Sequence, residues 1–229
     1  MTDLEDRIEA PEAAGPQHAD ARPILHRIAV ADLRPTQFAI GFDEVAEKVR
    51  HWQGLDTRHG RAFLGDHMLP VVIGPKEHAY LIDNHHLARA LELAGVETVL
   101  VRPIARLSRL KKPAFWRYLD GRNWVRAYDS KGRRREFQDM PRRLGDLQDD
   151  PYRSLAGAVR RAGGYAKDLT PFSEFLWADH FRDRIPLKEL EGDRSAALAT
   201  AMALARDHHA AYLPGWCGVE GAEDLPQGN

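Results

Sequence analysis

Four consecutive polar residues, Asp83-Asn84-His85-His86, follow directly on the apolar run Ala79-Tyr80-Leu81-Ile82. They open a segment in which Leu87, Ala90, Leu91 and Ala94 recur at helical spacing. A strand that turns into a helix here presents the free amides of the helix's first turn, which carry partial positive charge. Phosphates bind at such corners. Two imidazoles in the first turn, with Arg89 one turn further on, would help to hold a di- or triphosphate or a metal-bound phosphate, and Asp83 is the nearest metal ligand. The same residues have a plainer use. Asp83 or Asn84 caps the helix, one histidine is satisfied in the core, and Arg89 lies on a solvated face.

Other groups are weaker candidates. Lys131-Gly132-Arg133-Arg134-Arg135 is a compact basic run that could meet nucleic-acid phosphates, and Lys111-Lys112 and Arg142-Arg143 extend it if the fold brings them together. Asp149-Asp150 precede a helical stretch, where they either bind Mg²⁺ or cap the helix. Asp179-His180 and Asp207-His208-His209 lack the i, i+4 histidine pair of a helical zinc site and are expected to be structural or exposed.

The elements that must position these residues follow from periodicity. Ile24 to Val30 reads as a strand and Phe42 to Gln53 as a helix with Val45, Val49 and Trp52 on one face. Leu69 to Ile73 and His78 to Ile82 read as a strand pair across Gly74-Pro75-Lys76-Glu77. Gly95 ends the helix of the corner, Glu97 to Ile104 is a strand, and Pro113 to Leu119 is a short helix. Trp124 to Tyr128 and Arg135 to Phe137 form an expected β-hairpin. From Pro151 the pattern is helical: Pro151 to Ala162, Pro171 to Ile185, and Pro186 to Leu213, each opened by proline. The expected organisation is a mobile tail over residues 1–22, an α/β domain over 23–140, a helical extension over 141–213 and a loose tail over 214–229.

Composition narrows the function classes. Of 229 residues, 33 are basic and 34 acidic, a balance that argues against a surface coated for duplex DNA while leaving room for a local basic patch. The single cysteine, Cys217, allows neither an intramolecular disulfide nor a cysteine-based metal site. No stretch approaches the roughly 20 apolar residues of a membrane helix, and the acidic N-terminus has no signal-peptide pattern. A cytoplasmic protein is the expectation.

The Asp83-Asn84-His85-His86 corner resembles the phosphate-binding corner of the ParB/sulfiredoxin superfamily. Val30-Ala31-Asp32-Leu33-Arg34-Pro35-Thr36-Gln37 resembles the first strand and loop of that fold. Asp149-Asp150-Pro151-Tyr152-Arg153-Ser154-Leu155-Ala156-Gly157, Gly163-Gly164-Tyr165 and Phe172-Ser173-Glu174-Phe175-Leu176-Trp177-Ala178 look like its ParB-like nuclease branch. The resemblance covers about residues 24–185 and implies a bacterial α/β (α+β) protein: a small mixed sheet, flanking helices and a C-terminal helical extension. It also implies that the Arg34-to-Gln37 loop faces the corner.

Three branches of the superfamily fit less well. Peroxiredoxin repair needs a cysteine in the corner, which has none. Partition-type proteins carry a Gly-Glu-Arg-Arg-like corner and a DNA-reading helical domain, whereas the helical part here has no basic recognition helix. Free-serine kinases use Asp-Gly-His-His-Arg, and here Asn84 stands for the glycine and Leu87 for the arginine, leaving Arg89 as a substitute.

The implied site has Glu44, His85 and His86 as catalytic candidates and Arg34, Gln37, Lys48, Asp83, Asn84 and Arg89 around a nucleotide (ATP, ADP or CTP) with Mg²⁺. Glu44, preferred over Glu47, would orient or deprotonate the attacking hydroxyl or water. In the plainer reading Asp43 and Glu44 only favour the helix N-terminus and Lys48 pairs with Glu44 at i, i+4. The expected function is nucleotide or phosphate binding with phosphoryl transfer or hydrolysis. The alternatives are a DNA-binding protein or Mg²⁺-dependent nuclease, and a non-catalytic module that docks its helical tail on another protein.

Overall fold

A computed structural model describes residues 26–218. The tail expected over 1–22, the first residues of the Ile24 strand, and residues 219–229 lie outside the described residues.

Five strands and four helices make the first part: β1 (His26–Ala29), β2 (Ala39–Ile40), α1 (Phe42–Gln53), α2 (Thr57–Asp66), β3 (Leu69–Ile73), β4 (Ala79–Leu81), α3 (His85–Leu93), β5 (Thr98–Arg106) and α4 (Lys112–Gly121). The main sheet has the order β1-β5-β3-β4. It is mixed: β1 and β4 pair antiparallel with their neighbours, and β3 and β5 run parallel. Pro103 cannot donate to the ladder, and the β3–β5 register shifts beside it, between Val71 and Val72. Leu69, Val71, Leu81, Val99 and Val101 from one face pack with Val45 of α1 and Leu87, Ala88 and Leu91 of α3. The other face carries Val72 and Tyr80 against Phe115 and Leu119 of α4.

The helical part comprises β6 (Gln148–Asp149), α5 (Pro151–Arg161), α6 (Ser173–Arg182), α7 (Leu187–Gly192) and α8 (Arg194–Arg206). Its own core is built on Trp177, Phe181, Ile185, Val159 and Tyr165. The fold is thus the expected mixed α+β type, with eight α-helices among the described residues and a second, two-stranded sheet.

Several elements differ from the sequence reading. Asp56 caps α2, accepting from the His59 amide at 2.8 Å. The expected 124–137 hairpin is reduced to a bridge between Tyr128 and Arg134, while Gln37 pairs with Arg126 on the other side. The Asp129 carboxylate accepts from the Lys131 and Arg133 amides, closing the turn at Gly132, whose φ is +73°. The long helix expected from Pro186 breaks at Asp193, whose carboxylate accepts from the Ser195 and Ala196 amides and so starts α8 afresh. Proline opens α5 as expected, but α6 starts after Phe172 rather than at Pro171.

The two parts are stitched together ahead of the helices. β2 pairs in parallel with β6, so the chain around Ile40 lies beside the start of α5. The expected boundary at 140 falls inside packed structure, because Leu144 and Leu147 belong to the core of the main sheet. The stretch from Pro214, expected to be loose, is held as far as Trp216: Trp177 Nε1 donates to the Pro214 carbonyl at 2.9 Å, and the Trp216 ring packs on the helical core.

Candidate functional site

Ile82 and Asp83 carry the chain from β4 into α3. Asn84 makes the turn in the left-handed region (φ 62°, ψ 30°), a conformation asparagine tolerates. Its amide donates to its neighbour's carboxylate, Asp83 Oδ1, at 2.7 Å. No side chain caps α3, so neither Asp83 nor Asn84 consumes the first-turn amides. The helix therefore begins with open donors, as a corner for anions requires.

The two imidazoles act as acceptors. His85 Nε2 receives the Thr36 amide at 3.1 Å, and His86 Nε2 receives the Gly41 amide at 3.0 Å. Together they pin the 36–41 loop to the first turn of α3. Each Nε2 is thereby unprotonated, and burial keeps both rings neutral. Burial pushes His85 down to about 3, which the Leu81 carbonyl opposes in part. His86 is held well below the ordinary range by burial first, then by Arg153, His85 and Lys48. The histidines thus shape the corner rather than supply its charge.

The charge comes from Lys48 of α1 and from the helical part. A cavity of about 300 Å³ opens at the start of α3, bounded by α1, α5 and α6. Gln37, Glu44, Lys48, Asp83, Asn84, His85 and His86, all expected at the site, line it, and so do Arg153, Arg160, Lys167 and Glu174. Arg153 is 4% exposed; it meets Glu44 at 3.3 Å, pairs with Glu174, and stands 5.4 Å from the Phe175 ring centroid. Arg160 also holds Glu174, at 2.8 Å. Lys48 and Lys167 have no ion-pair partner among the described residues, so the cavity keeps free positive charge. Gln37 is 7% exposed, and its buried Oε1 has no hydrogen-bond partner in the protein. An orphaned polar atom in a cavity wall is costly unless a ligand or water satisfies it.

Two expected residues are elsewhere. Arg89 pairs with Glu92 beside Gly145, away from the cavity. Arg34 donates to His78 Nε2 at 2.9 Å and faces a different hollow. Lys48 does not pair with Glu44, which Arg153 engages instead. Glu44 Oε2 lies 3.6 Å from His86 Nε2, but that nitrogen is already an acceptor of the Gly41 amide.

Arg153, Arg160, Lys167 and Glu174 went unassigned to the corner because they lie about seventy or more positions away in sequence. No sequence signal tied them to it; the structure shows Arg153 nearly fully buried, which is rare unless the charge is paired. Asp150 has the capping role, accepting from the Tyr152 and Arg153 amides and pairing with Arg182 at 2.6 Å. Asp149 accepts from the Phe42 amide at 2.8 Å. Among the described residues no three His, Cys, Asp or Glu side chains converge to hold a metal. Mg²⁺ would fit here only as a companion of ligand phosphates, with exposed Asp83 as its protein ligand.

A mixed α+β domain with an uncapped strand-to-helix corner, closed by a basic helical flank, is the class that this fold and cavity define. The chain belongs to the family described as "Putative ParB-like nuclease", whose model matches residues 26–183 and so spans both parts. It is similar to protein Atu1540 from Agrobacterium tumefaciens, a crystal structure, with 52% identity and a TM-score of 0.82 over 87% of this chain and 100% of that one. No curated protein matches it. No helix among the described residues is long and apolar enough to cross a membrane.

Proposed function

We propose that this ParB-like protein binds a nucleotide or another small phosphorylated ligand in the cavity at the start of α3, and transfers or hydrolyses its phosphate there. One observation carries the reading: uncapped first-turn amides, two unpaired lysines and the orphaned Gln37 amide converge on one hollow. Lys48 and Lys167 would meet phosphate oxygens together with the amides of α3. Glu44, held by Arg153, is the carboxylate available to orient a hydroxyl or water. Mg²⁺, if bound, would be held by the nucleotide's phosphates with Asp83 as protein ligand. On this reading the protein is expected to work in the cytoplasm.

Calorimetric titration of the full chain with ATP, ADP and CTP, with and without Mg²⁺, tests binding. Lys48→Ala with Lys167→Ala is expected to weaken it tenfold or more, and no binding by any of the three rejects the reading. Glu44→Gln is expected to retain binding and lose turnover.

The family's description favours nuclease action as a second reading. A hollow of about 300 Å³ takes a phosphate or one nucleotide rather than a duplex, so single strands are the substrates to try. Mg²⁺-dependent cleavage of a single-stranded oligonucleotide, lost in Glu44→Gln, would establish it.

A further inference from the structure

A second cavity, of about 430 Å³, lies between α4 and the 136–142 segment and shares no residue with the corner. Arg34, Lys112, Arg117 and Arg142 line it against one carboxylate, Glu136. None of these four cations has a carboxylate partner among the described residues, whereas Arg89, Arg106, Arg126, Arg153 and Arg182 are all ion-paired. Arg34 is fixed by His78, which burial and then Arg34 itself hold below its ordinary pKa, so the partner leaves the guanidinium charge uncompensated. Lys112 and Arg142, thirty positions apart, come from the two basic pairs expected to extend a phosphate-facing patch if the fold brought them together, and they line this one cavity.

The same wall is aromatic. Trp116 and Phe137, both half-buried, lie nearly parallel, with centroids 5.9 Å apart and planes at 13°. Tyr80 braces Trp116 edge-on at 5.5 Å and 87°. Flat rings beside uncompensated guanidinium groups recognise a base and its phosphate together: stacking takes the base, and charge-assisted hydrogen bonds take the phosphate oxygens. Tyr80 and Ile82 sit two positions apart on the same side of the β4 path, about 7 Å along an extended chain. Tyr80 lines this cavity and Ile82 lines the corner.

We propose that this cavity is a second binding site for a nucleotide unit, with the base on Trp116 and the phosphate on Arg34, Lys112, Arg117 and Arg142. The unit is a free mononucleotide or one residue of a single-stranded nucleic acid. The site stands independently of the corner.

Tryptophan emission of the full chain, titrated with AMP, a short oligothymidylate and pyrophosphate, tests the assignment. AMP or the oligonucleotide is expected to quench emission, and Trp116→Phe is expected to abolish that quench. Arg117→Glu with Arg142→Glu changes two exposed side chains and is expected to raise the midpoint tenfold or more, with far-UV circular dichroism unaltered. Pyrophosphate, lacking a base, is expected to bind at least tenfold more weakly. A tighter midpoint for the oligonucleotide identifies a strand as the source, and an equal one identifies the free nucleotide. Quench that persists in Trp116→Phe, a midpoint unmoved by the double charge reversal, or pyrophosphate binding equal to AMP overturns the proposal. Lys167→Glu separates the two cavities: it is expected to leave this quench unchanged, and a quench lost through Lys167→Glu alone would assign the ligand to the corner and overturn the second site.

Discussion

His85 and His86 show how one residue type serves two ends of an argument. As cations they would attract phosphate, but their Nε2 atoms are already taken by the Thr36 and Gly41 amides, and burial keeps them neutral. This has a measurable sign. In the unfolded chain both protonate near 6.5, whereas folded His85 resists to about 3. The unfolded state therefore binds more protons below pH 6.5, and stability falls as pH drops from there toward 3, by up to about 1.4 kcal/mol per unit for His85, with His86 acting in the same direction. Above pH 6.5 the contribution is complete. Urea midpoints from pH 7 to pH 4.5 should decline in the native chain and decline less steeply in His85→Gln. Imidazole NMR should find the His85 ring untitrated across that range.

Arg153 is the other residue on which the site turns. It bridges Glu44 of α1 and Glu174 of α6 from a nearly fully buried position in α5. Arg153→Met would leave the Glu44 carboxylate without its cation while Arg160 still holds Glu174, and such a loss in a buried network costs about 3–5 kcal/mol. Denaturant unfolding measures it. Adding Glu44→Gln should restore part of the loss, because it removes the stranded charge.

At the scale of elements, a tight point beside the site is where α1 begins. A Cβ on Gly41 would stand 2.7 Å from Ser154 Oγ and 2.8 Å from the Ser154 amide nitrogen, and the latter is backbone that cannot move aside. Gly41→Ala is expected to cost about 1–3 kcal/mol and to loosen the loop that His86 holds, visible as faster amide exchange at Gly41. Such a contact lies beyond any reading of the sequence. The elements α1, β3, α3 and α5 were legible because each couples an apolar period to an unambiguous end, as Gly54 ends α1 and Pro151 opens α5. α2 was missed because its sequence, TRHGRAFLGD, is mostly polar, with only Phe63 and Leu64 packed against the core. The corner was legible as a location, since a strand running into Asp-Asn-His-His leaves little freedom in where the helix starts. The charge that fills it was not legible, because Arg153, Arg160 and Lys167 reach it only through the docking of α5 and α6.

At the scale of the whole molecule, the α/β part and the helical part behave as one object built around the corner. The 36–41 loop is held on one side by α3 through His85 and His86, and on the other by β6 and α5 through β2 and Gly41. Neither grip is complete without the other. Leu144 and Leu147 fill the core under the main sheet, and Arg126 crosses to Asp179 at 2.8 Å while stacking on Phe175 at 4.5 Å. The family match over residues 26–183 runs through this junction without interruption. A fragment ending at residue 140 would lose Leu144, Leu147, the partner of β2, and every basic residue of the cavity that comes from the helices. It is therefore expected to show no cooperative thermal transition. The full chain is expected to melt in a single step, with fluorescence and far-UV circular dichroism coinciding. A fragment 26–140 that unfolded cooperatively would show that the sheet holds the loop by α3 alone. The corner would then be a property of the sheet, and the helices would contribute only its charge.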